Sequence, residues 1–285
     1  MRIFVTGASS PLAVGVLRLL LLNTDWELWC GRHRKNIPIV DPRLHVIDLD
    51  LESDDLSETL SSTQFDLVVH FAGVTHASDE QQYWKINHEG TVRLAEAARR
   101  NGCRRFVYIS TRCATHGSGA YGESKLTAEQ ELQKLEWESL LIIRPAEIYG
   151  GGSNEGIDRM LATGRKWRFV PALFGDSNLM FAPMHVDDFI KLAAELIQQH
   201  HEGVRIETLC GPEDLNGIDL ALRISKRYRA VPIPMWWPAV ALSLKALHKI
   251  GITIVKPDQL TRLISEKTGT AASTKTPRVN SFLLD

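Results

Sequence analysis

Short runs of β-branched and aromatic residues alternate with helix-like stretches through the first two thirds of the chain. Runs that are apolar throughout are typical of strands buried on both faces of a parallel sheet. They predict strands in RIFVTG, WELWCG, HVIDL, DLVVHFAG, RFVYIS and SLLIIRP, with helices beginning near Ala13, Leu56, Trp84 and Tyr121 and a further helix over 186–200. The alternation predicts an α/β fold with a doubly wound parallel sheet, whose ligands bind at the carboxyl ends of the strands.

The pattern loosens after Arg144-Pro145 into a glycine-rich loop, YGGGSNEG, and a basic aromatic stretch, GRKWRFVP. An amphipathic segment over 215–230 and the stretch VPIPMWWPAVALSL follow later. We therefore predict one domain over 1–150, to which 181–201 return. A smaller mixed region is predicted over 151–180 and 202–285.

Composition sets few limits beyond those of an ordinary globular protein. The chain has 285 residues, of which 44% are hydrophobic and 24% charged, and a formal net charge of −1. That charge gives no electrostatic footprint for a nucleic acid. The four cysteines, Cys30, Cys103, Cys113 and Cys210, lie far apart without the paired spacing of a zinc site, and the histidines are scattered. No disulfide framework and no metal site are predicted, and a reducing compartment fits best.

The amino-terminal RIFVTG is strand-like and lacks the long apolar run of a signal peptide. The stretch VPIPMWWPAVALSL is broken by prolines and is too short to span a bilayer. We therefore expect a cytoplasmic protein without a transmembrane helix. Trp236 and Trp237 predict a packed substrate region, with a monotopic membrane contact as the alternative.

The first strand ends in TGASSPLAVG and a helix follows directly. Such a turn can place backbone N–H groups and the positive end of the helix against a pyrophosphate. Gly7 fills the first glycine place of the dinucleotide fingerprint, whereas the second and third places read Ser10 and Ala13. Ser9 and Leu12 of the same loop are further candidate cofactor contacts. The alternative is a plain turn without a ligand. The glycine loop lies in the first βα turn, where this fold binds its dinucleotide, and that position favours the phosphate site.

The end of the second strand reads CGRHRK and contains no acid. An acid at this place would accept the ribose 2′-hydroxyl of NAD, whereas an arginine would bind the 2′-phosphate of NADP. Arg32 and Arg34 therefore favour NADP(H) over NAD(H). A solvated basic loop is the alternative.

One predicted helix carries a lysine in its apolar seam. Positions 121, 125, 128, 132 and 135 share a helix face and read Tyr, Lys, Ala, Leu and Leu. Burial of an unpartnered ammonium is costly, so Lys125 needs either a partner or a route back to water in the first helical turn.

A chemical role resolves this conflict. A free tyrosine has a pKa of about 10 and is a poor base near neutrality, but an adjacent ammonium lowers that pKa. Tyr121 could then exchange the proton of a substrate hydroxyl while a nicotinamide exchanges the hydride. The preceding strand supplies a further hydroxyl at Ser110 or Thr111.

These motifs occur in an order that resembles a known family. The series is TGASSPLA, HFAG at 70–73, Asn87 in INHEGT, YISTR, YGESK, IIRPAEIYG and HVDD at 185–188. Over roughly residues 1–200 it resembles the extended short-chain dehydrogenase/reductase superfamily, specifically the NAD-dependent epimerase/dehydratase family. The resemblance implies that the domain over 1–150 binds the dinucleotide and that the mixed region binds substrate.

The resemblance also implies roles for single residues. Tyr121 would be the catalytic acid/base, Lys125 its partner and a contact of the nicotinamide ribose, and Thr111 the hydroxyl that orients substrate, with Ser110 as the fallback. The other implied cofactor residues are Asp48 and Leu49 beside the adenine, Phe71, Ala72 and Gly73 along the cofactor, Asn87 as a support, and Pro145 at the turn into the substrate region. Helices near 84 and 121 commonly pair across a dimer in this family, so a homodimer is expected.

Three positions depart from the family pattern. Dehydratases carry an Asp-Glu pair directly after the catalytic Thr, whereas this chain has Arg112 and Cys113, so dehydration is not predicted. Cys113 is either an extra acid/base or a packed core cysteine. Nucleotide-sugar members usually place an arginine where Phe181 stands, to grip the diphosphate. Cations of another loop, Arg159, Arg165, Lys166 or Arg168, are the remaining candidates for that grip.

The resemblance implies an oxidoreductase or epimerase that acts on a secondary alcohol or ketone of a nucleotide-activated sugar, and Arg32 and Arg34 favour NADP(H) as its cofactor. A looser likeness of the carboxyl-terminal region points to surface-polysaccharide synthesis. The alternatives are a ketone or lipid-alcohol reductase without a nucleotide handle, and an NADP-binding sensor or scaffold that does not turn over substrate. Neither a nucleic-acid partner nor a membrane contact is predicted.

Overall fold

The computed structural model describes residues 1–52, 56, 60–61, 63–77, 79–152, 156–252 and 255–273. Most of the helix predicted near Leu56 lies outside these residues, as do part of the glycine-rich loop and the end of the chain. The described strands are β1 (Arg2–Thr6), β2 (Glu27–Arg32), β3 (Leu44–Asp48), β4 (Leu67–His70), β5 (Arg105–Ile109), β6 (Ser139–Pro145), β7 (Ile148–Tyr149), β8 (Phe169–Phe174), β9 (Met180–Phe181), β10 (Met184–His185), β11 (Gly203–Leu209), β12 (Leu215–Asn216) and β13 (Val231–Trp236).

The helices confirm the other predicted helical segments to within a few residues. They are α1 (Pro11–Asn23), a π-helical segment (Tyr83–Gly90) that continues into α2 (Thr91–Arg100), α3 (Gly119–Lys134), α4 (Gly156–Trp167), α5 (Val186–Gln198), α6 (Gly217–Tyr228), α7 (Trp237–Lys249) and α8 (Pro257–Ile264), with a 3₁₀ turn at Ala271–Ser273. None of the helices in the described ranges has the length and apolar character needed to cross a bilayer.

A seven-stranded parallel sheet in the order β11-β6-β5-β4-β1-β2-β3 forms the centre of the fold. All six predicted strands belong to it, so the doubly wound Rossmann fold is confirmed. Successive strand residues face opposite sides, so Val5 packs towards α1 and α5 whereas Phe4 packs towards α2 and α3. The two apolar cores hold the carboxyl ends of β1, β4 and β5 side by side.

One strand of this sheet was not predicted. Residues 203–209, assigned above to the second region, form β11 and pair in parallel with β6, so the assignment was wrong for this segment. The reason is its pattern. Val204 and Ile206 are exposed on the edge of the sheet and alternate with Arg205 and Glu207, which are ion-paired at 2.8 Å. This pattern differs from the apolar runs of the buried strands.

The second region has its own small core. β8 pairs in parallel with β13, and α6 packs on β8. Val170 and Ala172 meet Leu220 and Ile224 there, away from the large sheet. A separate cluster joins Trp237 of α7 to Leu260 of α8. The division of the chain into a cofactor domain and a substrate region stays a prediction.

Candidate active site

The first βα turn packs against the end of β4. Gly7 has a φ of +67°, a conformation that glycine adopts at little cost. A Cβ at Gly7 would lie 2.5 Å from the backbone nitrogen of Ala72. Ser10 caps α1, since its hydroxyl accepts a hydrogen bond from the Ala13 N–H at 3.2 Å. The predicted phosphate turn and the HFAG segment are therefore in direct contact.

Two contacts join the ends of β2 and β3, where the adenine is predicted to bind. A Cβ at Gly31 would lie 2.6 Å from Cδ2 of Leu49, so Leu49 covers the end of β2. Arg32 lies opposite Asp48 in the β2–β3 register and donates from Nε to its carboxylate at 2.9 Å. The acid absent from the end of β2 is thus supplied by β3. The sequence could not show this pairing, because it does not reveal which residues of β2 and β3 lie opposite each other.

Lys125 is buried in α3 and does not reach back to water. Its side chain is only 4% exposed, and Nζ donates to the carbonyl of Ile109 at 3.1 Å. Nζ also lies 4.7 Å from the centre of the Tyr108 ring. The alternative of a solvated lysine in the first helical turn is therefore wrong.

Asn87 and Gly73 complete the surroundings of Lys125. A Cβ at Gly73 would lie 3.0 Å from both Lys125 Nζ and Asn87 Oδ1. The Asn87 amide accepts from Val74 N at 2.7 Å and donates to Val74 O at 2.9 Å. Asn87 thus holds the loop after β4 in place, and the glycine lets that loop approach the ammonium.

Burial lowers the pKa of Lys125 to about 8, and the Glu129 carboxylate one turn further along opposes the shift. Burial has the opposite effect on the phenol and raises the pKa of Tyr121 to about 12. The strongest opposing influence on Tyr121 is the Arg262 guanidinium, followed among lowering effects by a hydrogen bond from the Thr111 side chain. The prediction that Lys125 lowers the pKa of Tyr121 below its usual value is therefore not met, because desolvation outweighs the lowering by Arg262 and Thr111.

Arg262 belongs to α8 and lies over the phenol ring, with its Cζ 4.3 Å from the centre of Tyr121. Asp258 of the same helix accepts from Tyr121 N at 3.1 Å and pairs with Arg262 at 2.8 Å. Arg262 also donates to the carbonyl of Thr75 at 3.0 Å, and Lys256 donates to the carbonyl of Ala77. Helix α8 is thereby fastened to the start of α3 and to the loop after β4.

Sequence reasoning missed this cation. Asp258 and Arg262 are spaced as a helical i, i+4 pair in PDQLTRL, which by itself is typical of an exposed ion pair. Gly119 accommodates the helix, because a Cβ there would lie 2.7 Å from Asp258 Oδ1. No local pattern indicates which part of the chain α8 contacts.

The hydroxyls after β5 differ in their partners. The Thr111 side chain is one of the influences that lower the pKa of Tyr121, and its hydroxyl accepts from Cys113 N at 3.2 Å. The buried hydroxyl of Ser110 has no hydrogen-bond partner among the described residues. This geometry favours Thr111 over Ser110 as the hydroxyl beside the phenol.

A sequence model of the NAD dependent epimerase/dehydratase family matches residues 3–210. The chain belongs to this family. It is 24% identical over 266 residues to a UDP-glucose 4-epimerase of Vibrio cholerae, covering 82% of this chain and 79% of that protein. It is also 32% identical over 133 residues to a ceramide reductase of Caulobacter vibrioides, covering 46% of this chain and 39% of that one.

Solved structures share the fold. The Bordetella bronchiseptica enzyme WbmG in complex with NAD superposes with a TM-score of 0.69 at 17% identity, over 92% of each chain. UDP-glucose 4-epimerase of Thermotoga maritima with UDP-glucose gives 0.69 at 17% identity, over 93% of this chain and 97% of that one.

In this epimerase/dehydratase chain, the positions where dehydratases carry their Asp-Glu pair hold Arg112 and Cys113, and Arg112 forms a buried ion pair. Arg112 is 2% exposed, pairs with Glu147 at 3.2 Å and donates to the carbonyl of Met180 at 2.8 Å. Glu147 in turn accepts from Ala182 N at 3.0 Å. Burial raises the pKa of the Cys113 thiol, which keeps its proton at neutral pH, and the side chain is partly exposed, so its role stays a prediction. The buried Phe181 lies between the residues that these bonds hold.

The remaining candidate positions are dispersed along the carboxyl edge of the sheet. Pro145 ends β6, and Leu12, at the start of α1, packs against the core.

His70 is fully buried and forms hydrogen bonds with Thr6 on one side and Thr91 on the other. Burial holds the pKa of His70 well below its usual range, so it is a neutral link between β1, β4 and α2.

The depressed pKa of Lys125 predicts a pH dependence of stability. The folded state releases this proton near pH 8 and the unfolded chain near 10.5, so the unfolded chain binds more protons between these values. The contribution of Lys125 to the free energy of unfolding should therefore rise with pH across that window and be flat below it. Lys125→Met should abolish this rise. Urea unfolding at a series of pH values measures it.

Lys134→Met in the same helix is the matched control, because Lys134 is exposed and paired only with the surface carboxylate of Glu131. Comparison with wild type removes the contributions of the buried cysteines and tyrosines, which all three proteins share. An equal slope above pH 8 in wild type and Lys125→Met would contradict the predicted state of Lys125.

Proposed function

We propose that the protein is a nicotinamide-dinucleotide-dependent oxidoreductase or epimerase that acts on a secondary alcohol or ketone. The observation that carries the proposal is the convergence of Tyr121, Lys125 and Thr111 at the carboxyl ends of β4 and β5. Two observations support it: Lys125 Nζ donates to the carbonyl of Ile109 at the end of β5, and the Thr111 side chain just after β5 influences the Tyr121 phenol. The doubly wound fold binds ligands at that edge of the sheet.

The residues fit a dinucleotide along this edge. Gly7 and the amino end of α1 would hold the pyrophosphate, because helix N–H groups and the helix dipole favour an anion. Asp48 and Leu49 would lie at the adenine, and Lys125 at the nicotinamide ribose. When bound, the nicotinamide supplies a hydride donor or acceptor.

The phenol would supply the proton. Because its pKa is about 12, Tyr121 carries its proton at neutral pH. That form gives a proton to a carbonyl oxygen during reduction. Arg262 and Lys125 would stabilise the phenolate that remains, and the Thr111 hydroxyl would orient the substrate oxygen. We therefore favour reduction of a ketone. Epimerisation would use the same groups twice, first to oxidise the alcohol and then to reduce the ketone that results.

We propose NADP(H) as the preferred cofactor, because Arg32 and Arg34 stand at the end of β2. Arg32 would have to exchange part of its bond to Asp48 for the 2′-phosphate. The WbmG structure named above contains NAD and gives this preference no support. The homodimer and the cytoplasmic location also stay predictions.

Two substrate classes follow from separate observations. A nucleotide-activated sugar is favoured by the likeness to UDP-glucose 4-epimerase along most of the chain. A lipid ketone or alcohol without a nucleotide handle is favoured by the buried Phe181, which stands where an arginine would grip a diphosphate. The shorter likeness to ceramide reductase agrees with the second class.

The test begins with titration of NADH and NADPH, followed by absorbance of the reduced cofactor in the presence of substrates. Consumption of NADPH by a 4-keto nucleotide sugar supports a sugar reductase, and interconversion of UDP-sugars without a change in absorbance supports an epimerase. Consumption only with a long-chain keto lipid supports the second class. Cofactor binding without turnover of any of these would favour a sensor, and absence of cofactor binding would overturn the proposal.

A further inference from the structure

The two-stranded sheet of the second region has an apolar outer face. In the parallel register, Phe169 lies beside Val231, Pro171 beside Ile233 and Leu173 beside Met235. Paired residues of neighbouring strands point to the same side of a sheet. The intervening residues of β8, Val170 and Ala172, point inward and are buried against α6. We call the outer set, Phe169, Pro171, Leu173, Val231, Ile233 and Met235, the β8–β13 face.

Much of this face is uncovered in the described part of the chain. Val231 is 64% exposed, Ile233 42% and Phe169 40%, and Trp167 just before β8 is 63% exposed. Leu173, at the carboxyl end of β8, packs against the cluster that contains Trp237. Met235, opposite Leu173 in β13, is 38% exposed, so all three face residues of β13 are uncovered. Contiguous exposed apolar surface of this kind marks an interaction site.

Cations lie before both strands, at the amino end of the face. Arg165, Lys166 and Arg168 precede β8, and Lys226, Arg227 and Arg229 precede β13; all six are exposed. The segments 159–175 and 220–257 contain eleven lysines and arginines and no Asp or Glu. Lys166 lies 4.9 Å from the centre of the Trp167 ring. An apolar surface with a cationic and aromatic rim matches the interface of a bilayer with anionic headgroups.

We propose that the β8–β13 face docks on the surface of an anionic lipid bilayer. The apolar side chains would enter the headgroup boundary while the surrounding cations bind lipid phosphates. A second copy of the chain is a poorer occupant, because it would bring another set of these cations against this one. The inference is independent of the proposed function, since vesicle binding is measured without cofactor or substrate.

This surface was not predicted from the sequence, which offered a membrane contact only as the alternative for Trp236 and Trp237. Trp237 is buried against Leu179 and Leu260, as the packed interpretation predicted, whereas Trp236 is 55% exposed, so that interpretation is wrong for Trp236. The face arises only when β8 pairs with β13, and nothing in either segment indicates this pairing.

The test is flotation of the full-length protein with vesicles of phosphatidylcholine alone and of phosphatidylcholine mixed equally with phosphatidylglycerol. We expect binding to the mixed vesicles that weakens with added salt. The double variant Val231→Glu/Ile233→Glu should weaken binding at least about tenfold. Arg165→Gln and Lys166→Gln should each weaken it about fivefold.

Val204→Glu is the matched control, because Val204 is 50% exposed on the edge strand of the large sheet, away from this face. It should bind as wild type does, and circular dichroism should show that all variants are folded. Absence of binding to the mixed vesicles, or equal loss in Val204→Glu and the double variant, would overturn the proposal. So would self-association in sedimentation that the double variant abolishes without vesicle binding, which would assign the face to a second copy.

Discussion

Replacement of Tyr121 by Phe is expected to lower turnover by about a hundredfold to ten-thousandfold, the usual contribution of a positioned acid/base. The substitution removes only the hydroxyl that exchanges the proton. It keeps the ring, which meets Arg262 at 4.3 Å and Tyr83 at 5.8 Å between ring centres. Cofactor affinity should change little, because no cofactor contact is assigned to that hydroxyl. Steady-state kinetics together with NADPH titration measure both quantities.

Tyr83→Phe is the matched control, because it removes a buried phenol hydroxyl from the same cluster. The Tyr83 hydroxyl accepts from Ala77 N at 3.0 Å and donates to Thr75 O at 3.3 Å. Its loss should cost about 1 kcal/mol of stability and far less activity. Equal loss of turnover in the two variants would show that the cluster matters only for packing, and undiminished turnover in Tyr121→Phe would sink the proposed mechanism.

Replacement of Glu129 by Leu is expected to have the largest effect on stability. The Glu129 side chain is fully buried, and Arg144 Nε donates to both of its oxygens, at 3.0 and 3.1 Å. Removal of one partner of a buried ion pair leaves an uncompensated charge and costs about 3–5 kcal/mol. Arg144 is the charge left behind here. Urea unfolding at pH 7 measures the loss as a lower midpoint with an unchanged slope.

The double variant Glu129→Leu/Arg144→Met separates charge from packing. Apolar residues of similar volume can replace a buried pair at little cost, so the double variant should be more stable than Glu129→Leu. A double variant as unstable as the single one, or less stable, would show that the interior of α3 depends on shape and not on the pairing of these charges.

The parts of the molecule that the sequence predicts are those with local patterns. Strands such as β1 and β6 have apolar, buried centres and lie where they were expected. The lysine of the α3 seam was visible because Lys125 breaks an otherwise apolar helix face. β11 was missed because its apolar and polar residues alternate, a short pattern that does not distinguish an edge strand from other segments with one face in solvent.

The parts that could not be predicted depend on contacts between distant segments. Tyr121 and Asp258 are 137 positions apart, and no pattern links them. The Arg32–Asp48 bond depends on the register of two strands, which composition does not reveal. The direction of the Tyr121 pKa shift depends on burial, which outweighed the charge effects that the sequence suggested.

During synthesis, the large sheet is complete before α8, which docks on α3, has been made. The large sheet has all its described strands once Leu209 is in place, whereas the guanidinium above the phenol is supplied more than fifty residues later. A nascent chain that stops between these points would retain a complete Rossmann sheet while lacking its acid/base environment. Loss of α8 would therefore be expected to lower the proposed turnover while leaving in place the large sheet, which assays of secondary structure report.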